Sequence, residues 1–119
     1  MDDNFWSAVE DLVKASEIKI DRPKGCVHPN HPLAIYPLDY GHLAGTSSRD
    51  QSGIDVWIGG RANQEINAIV ATIDLDKSDA EIKILIGCSE EDIQKILSFH
   101  NQGAQSAILI QRSYTKPTE

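Results

Sequence analysis

The chain has 119 residues, with 11 Lys and Arg against 18 Asp and Glu, and so carries a formal charge of −7 at pH 7. Forty per cent of the residues are hydrophobic, which is material for one core and not for two. A surface this acidic repels a phosphate backbone and argues against nucleic-acid binding. No apolar run approaches the roughly 20 residues that a membrane span requires, which argues against a membrane partner.

The start, Met1-Asp2-Asp3-Asn4, has neither the basic nor the apolar part of an export signal. Cys26 and Cys88 form no Cys-x-x-Cys pair and read as reduced thiols, so a cytoplasmic location is the expectation. In chain order, Phe5, Trp6, Val9, Leu12 and Val13 make one stripe at helical spacing, with Asp2, Asp3 or Asn4 to cap the first turn. Residues 18–21 alternate through Ile18 and Ile20 and predict a short strand. Pro23, Gly25, Pro29, Pro32 and Pro37 exclude a helix over 22–37 and leave an extended loop with short edge pairings at most, one of them at 34–36.

Residues 41–53 are polar and turn-rich, and Ile54–Ile58 is a strand ended by Gly59-Gly60. The apolar stretches 66–75 and 80–86 predict two strands joined through the polar turn between Asp74 and Asp79. Ser89 with Asp92 three residues on is a capping box, opening a helix that turns Ile93, Ile96 and Leu97 inward and is stopped by Gly103. A strand over 107–111 and a polar tail close the chain. This order predicts one α+β domain over 1–119: a small antiparallel sheet or partly closed OB-like β-barrel, flanked by an N-terminal and a C-terminal helix.

Two acidic clusters sit at strand ends, Asp50-Gln51-Ser52-Gly53-Ile54-Asp55 and the turn from Asp74 to Asp79. If the strands are neighbours, Asp50, Asp55, Asp74 and Asp79 converge on one rim. Unpaired carboxylates in such a rim raise one another's pKa values, and a hard, oxygen-seeking dication such as Mg²⁺ relieves the repulsion. The plainer alternative is that these aspartates occupy solvated turns and bond local backbone amides. The first cluster is no calcium loop, because its glycine falls at the wrong position.

Three pieces in fixed order, Tyr36-Pro37-Leu38-Asp39-Tyr40-Gly41, the stretch from Asp50 to Ile58, and Asp74 with Asp79 five residues on, resemble the family I soluble inorganic pyrophosphatases. The resemblance is clear over 17–86 and weak in the closing helix. It implies a homo-oligomeric hydrolase that cleaves diphosphate to two phosphates with Mg²⁺, for which Mn²⁺ can substitute. Asp50, Asp55 and Asp79 would hold the activating metals, with Asp55 shared, and Asp74 would join Asp79 on a metal that travels with the substrate. Two dications sharing a carboxylate lower the pKa of a bound water from 15.7 toward about 7. By the same resemblance Asp55, Asp50 and Tyr40 are the catalytic candidates, and Lys19, His28, Tyr36 and Lys83 the substrate-binding ones.

The departures from the family pattern fall on its acid–base and phosphate-binding residues. Ser52 replaces a carboxylate, Gly53 a proline, His28 an arginine and Glu81 a lysine, while Glu17-Ile18-Lys19 reverses the usual order of charges. Nothing around His100 and Asn101 supplies the family's Tyr-Lys pair, and the chain is shorter than usual for the family. A second expectation follows: a catalytically degenerate relative that binds metal or a phosphorylated ligand in a non-enzymatic or regulatory role. A third is an acidic protein-interaction module.

Smaller candidates remain. His28 and His31 place two imidazoles on a rigid loop without a third ligand nearby, and Arg22 and Lys24 add a cationic lip. Cys88 precedes the capping Ser89, where a helix N-terminus is expected to depress a thiol pKa, but no histidine is placed to serve as its base. Arg61, after Gly59-Gly60, can face a phosphate. Trp57 either enters the core or marks a subunit contact.

Overall fold

The computed structural model describes residues 2–48 and 52–113. Its elements are α1 (Asp2–Lys14), β1 (Glu17–Arg22), β2 (Val27–His28), β3 (His31–Ile35), β4 (Asp39–Ala44), β5 (Ile54–Ile58), β6 (Ile66–Asp74), β7 (Asp79–Ile86), α2 (Glu90–His100) and β8 (Gln105–Gln111). Six strands form one sheet in the order β1-β4-β5-β7-β6-β8, and β2-β3 is a separate hairpin. No helix is long and apolar enough to cross a membrane.

The α+β class is as expected, but the sheet is mixed and open. β5 and β7 run parallel, because the chain leaves β5, skips one position to lay down β6, and returns with β7 in the gap. β1 and β8 sit at opposite edges and do not pair among the described residues, so the sheet is not closed into a barrel. β4 also falls where the sequence predicts turns. Its Gly41 lets the backbone of β1 come close, since a Cβ there would overlap the Lys19 carbonyl. A register shift between Ile20 and Arg22 then bends β1 and brings the Asp21 carboxylate to His42.

Side chains alternate between two faces. On one, α1 buries Trp6 and Val9 against Leu43, Val56, Ile84 and Ile86. Its stripe is only partly covered, leaving Phe5 and Leu12 partly exposed. The helix begins at Asp2, so Asp3 and Asn4 lie in its first turn and are not caps. On the other face, α2 buries Ile93 and Ile96 over Trp57, Val70 and Leu85. Its capping box is complete: Ser89 Oγ accepts from the Asp92 amide, and Asp92 Oδ2 accepts from the Ser89 amide, both at 3.1 Å.

Trp57 is fully buried, so it is a core residue and not a subunit contact. Its indole donates to His100 Nε2 at 3.0 Å, and His100 Nδ1 lies 2.8 Å from Gln105 Oε1. The closing helix, the central strand and the edge strand are thereby joined through one imidazole.

Candidate functional site

Strand register lines up four polar side chains on the α2 face of the sheet. Lys19 on β1 is the partner of His42 on β4, His42 of Asp55 on β5, and Asp55 of Lys83 on β7. Neighbouring members of this row are about 5 Å apart in the hydrogen-bonding direction. Of the residues proposed from sequence, Lys19, Asp55 and Lys83 therefore share one line across the sheet, and Tyr40 flanks it.

The row is neutralised from within. Asp55 Oδ2 accepts from the Tyr40 hydroxyl and from Lys83 Nζ, both at 2.7 Å, and Lys83 Nζ also donates to Glu81 Oε1 at 3.0 Å. Burial by itself would depress the Lys83 pKa, but Asp55 and Glu81 together raise it above the ordinary lysine range. The ammonium also stands 5.6 Å from the Tyr40 ring centroid. Burial, and then Asp55 and Glu81, push the Tyr40 hydroxyl far above the ordinary tyrosine range, so it remains a donor. At the outer end His42 Nδ1 and Asp21 Oδ2 are 2.7 Å apart.

Tyr36 is buried in the aromatic cluster, its ring 5.4 Å from Tyr40 and 4.8 Å from Phe99. Burial raises its pKa, opposed by the charge of Arg22 and a hydrogen bond from it. The β2-β3 hairpin stands beside it. His28 and His31 are register partners with ring centroids 4.7 Å apart, and the His28 ring lies parallel to Tyr36 at 6.1 Å. His28 Nδ1 accepts the Asn30 amide at 3.0 Å, so one of its nitrogens is committed to the turn. Its pKa is lowered, first by burial and then by His31, Arg22 and Lys77.

Among the described residues, Asp55, Asp74 and Asp79 are not brought together on one rim. Asp50 lies outside the described residues. Asp74 closes its own turn, its Oδ1 accepting from the amides of Asp76 at 3.0 Å and Lys77 at 3.1 Å. Asp79 shares a face with Glu81 and Lys83 but sits four residues along β7 from Lys83, about 13 Å at strand rise. Among the described residues no three His, Cys, Asp or Glu side chains are grouped so as to hold an ion. The position between Asp55 and Glu81 that suits a dication holds the Lys83 ammonium, so the described residues do not fit a Mg²⁺ or Mn²⁺ centre. The resemblance makes Lys83 a substrate ligand, but its ammonium instead bonds these two carboxylates.

Cys88 also departs from expectation. Burial pushes its thiol up to about 12, outweighing the helix N-terminus. Sequence reasoning passed over His42 and Asp21 and gave Glu81 no role at the site. Glu81 was legible in the alternation 79, 81, 83 along β7. His42 and Asp21 were not, because each depends on a strand or bulge without a local signal.

Chemically, the floor is an ion-pair network, Asp55–Lys83–Glu81, and beside it Arg22, His28 and His31 stand around Tyr36. The network commits the Lys83 ammonium to two carboxylates, so the donors that an anion could meet are Arg22 and the imidazoles of His28 and His31 beside Tyr36. No protein-family model, no curated protein and no solved structure matches the chain.

Proposed function

We propose that the chain is a pyrophosphatase-like protein that binds a small phosphorylated ligand, with diphosphate as its simplest example, in a non-enzymatic or regulatory role. What carries the reading is the grouping around Tyr36: Arg22 bonds its hydroxyl, the His28 ring lies parallel to it at 6.1 Å, and His31 stands 4.7 Å from His28, in a chain of net charge −7. Arg22 is the permanent cation of this group, its planar fork matches a phosphoryl anion, and imidazole N–H groups beside it can donate to the same anion. Lys83, placed between Asp55 and Glu81, takes the role that a metal has in the hydrolases the sequence resembles. Free thiols at Cys26 and Cys88 are in keeping with a reducing, cytoplasmic setting.

Calorimetric titration with diphosphate, with and without Mg²⁺, tests this. The expected outcome is binding that does not need Mg²⁺ and is weakened about tenfold by Arg22→Ala with an unchanged circular dichroism spectrum. A second reading, the Mg²⁺-dependent diphosphate hydrolase, is favoured by the shared face of Asp55, Glu81 and Asp79 and by Asp50 lying five residues before Asp55. Phosphate release from diphosphate that requires Mg²⁺ and is lost in Asp55→Asn decides for it. Neither binding nor release removes both readings.

A further inference from the structure

β1 lies at one edge of the sheet, and among the described residues no strand pairs with its outer side. At the opposite edge Asn101 bonds both backbone groups of Ala107 and stands in for a neighbour. The phase of the ladder tells which groups β1 offers. A Cβ on Gly41 would overlap the Lys19 carbonyl, so that carbonyl points at β4. A Cβ on Gly53 would press on the Leu43 carbonyl, so Leu43 turns to β5, and its neighbours His42 and Ala44 turn to β1. Their register partners Lys19 and Glu17 therefore give their backbone groups to β4, and those of Ile18 and Ile20 face outward.

The side chains of β1 divide by the same alternation. Ile18 is the partner of Leu43 and lies with Ile20 on the α1 face, the two being 37% and 43% exposed. Glu17 and Lys19 lie on the α2 face, and both are exposed. β1 carries two acids and two bases, Glu17 and Asp21 against Lys19 and Arg22, and is neutral in a chain of net charge −7. Two copies can meet along this edge without the repulsion that the rest of the chain imposes.

We infer that β1 pairs antiparallel with β1 of a second copy of this chain, about a two-fold axis at Ile18. With that axis Ile18 forms a hydrogen-bonded pair with its own copy, each amide donating to the other carbonyl. Glu17 then stands opposite Lys19 of the second copy, and Lys19 opposite the second copy's Glu17, at the closer, non-hydrogen-bonded positions. Ile20 falls opposite Ser16, whose own amide is held by the Val13 carbonyl, so the pairing ends there. An axis at Lys19 keeps the hydrogen bonds but sets Lys19 against itself and Glu17 against Asp21. An axis at Ile20 runs into the bulge before Arg22 and needs Asp21, which is bonded to His42. Charges that keep unrelated strands off an edge here stand in an order that matches its own reverse. The row Lys19–His42–Asp55–Lys83 would then end on Glu17 of the second copy. The inference does not rest on the phosphate reading, which concerns Arg22, His28 and His31.

Sedimentation velocity at low salt, over a range of protein concentrations, tests the pairing. The wild type should dimerise. Glu17→Lys and Lys19→Glu, both at exposed positions, should each weaken the dimer at least tenfold with an unchanged circular dichroism spectrum. The double variant should regain the wild-type affinity, and an equimolar mixture of the two single variants should dimerise, because each again sets Lys against Glu. Register is read by oxidation in a Cys26→Ser background. Ile18→Cys should form a disulfide-linked dimer, since its Cα atoms meet at about 5.5 Å, and Ile20→Cys should not. A monomeric wild type overturns the inference, and so does a dimer indifferent to both charge reversals. Failure of the double variant to recover, or equal cross-linking at 18 and 20, overturns it as well.

Discussion

The proton on His100 is assigned by its neighbours. An indole N–H can only donate, so His100 Nε2 must accept from Trp57, and the imidazole proton belongs on Nδ1, where it donates to Gln105 Oε1. Burial lowers the pKa of this imidazole to about 4, from an ordinary 6.5. Below pH 6.5 the unfolded chain takes up a proton that the folded chain refuses until about pH 4. Stability present above 6.5 is therefore lost as pH falls through that window, by about 3 kcal/mol when complete. Urea unfolding at several pH values should show a steeper loss between 6.5 and 4 for the wild type than for His100→Gln, which can still accept from Trp57. Parallel profiles would contradict the assignment.

Lys83 gives the second expectation at this scale. Lys83→Met leaves Asp55 and Glu81 facing each other without their shared cation, and should cost about 3 kcal/mol at pH 7. The loss should shrink toward pH 4, where a carboxylate can take up a proton. Adding Asp55→Asn should recover part of it, and a double variant no more stable than Lys83→Met would exclude the ion-pair account. His28 gives the third. An anion at the hairpin favours its protonated form, so diphosphate affinity should rise as pH falls through the range where His28 titrates. His28→Ala should flatten that dependence in the same calorimetric titration.

Among the elements, β8 is an edge strand of apolar, uncharged sequence, the kind that templates unwanted pairing. Arg112 donates to the Asn67 carbonyl, and Leu75 to that of Ala104, so the even-numbered backbone groups of β8 face β6 and the odd ones face outward. Asn101 intercepts the middle of that outward row. Its Oδ1 accepts from the Ala107 amide at 2.9 Å and its Nδ2 donates to the Ala107 carbonyl at 3.3 Å, as a neighbouring strand would. Asn101→Ala should cost about 1 kcal/mol and speed exchange of the Ala107 amide, read by hydrogen-exchange NMR, while the Leu85 amide in the core is unaffected.

How far the sequence discloses an element follows the same division between local and distant causes. The capping box of α2, the alternation of β7 and the bounds of β5 are written in neighbouring residues, and all three are found where expected. β4 is not, because Gly41 and His42 carry no strand signal and the strand exists through its pairing with β1 and β5. The site divides in the same way. Alternation places Lys83 and Glu81 on one face, but only the parallel register of β5 on β7, set by the 20-residue crossover 59–78, puts Asp55 against Lys83. The expected convergence of Asp74 with Asp55 fails for that reason: both lie at strand ends, but about four residues of β7 separate them.

At the scale of the molecule the negative charge is unevenly spread along the chain. Two stretches of sequence, 2–14 and 74–81, carry eight carboxylates against two lysines, and so account for six of the seven net negative charges. Like charges this close in sequence repel one another, and the repulsion acts between exposed carboxylates such as those of Asp3, Asp11 and Asp76. Salt should relieve it, because the Debye length falls from about 30 Å at 10 mM to about 3 Å at 1 M. The melting temperature should therefore rise by several degrees over that range. Asp11→Asn with Asp76→Asn should raise it at low salt and roughly halve the further rise, whereas Lys83→Met should leave the salt-dependent increment unchanged, since the Asp55–Lys83–Glu81 network is largely shielded from mobile ions. Differential scanning calorimetry of the three proteins in NaCl reads this directly. Because salting-out acts on all three alike, the comparison isolates these two acidic stretches, and an equal salt increment in the wild type and the Asp11/Asp76 variant would show that their repulsion does not limit stability.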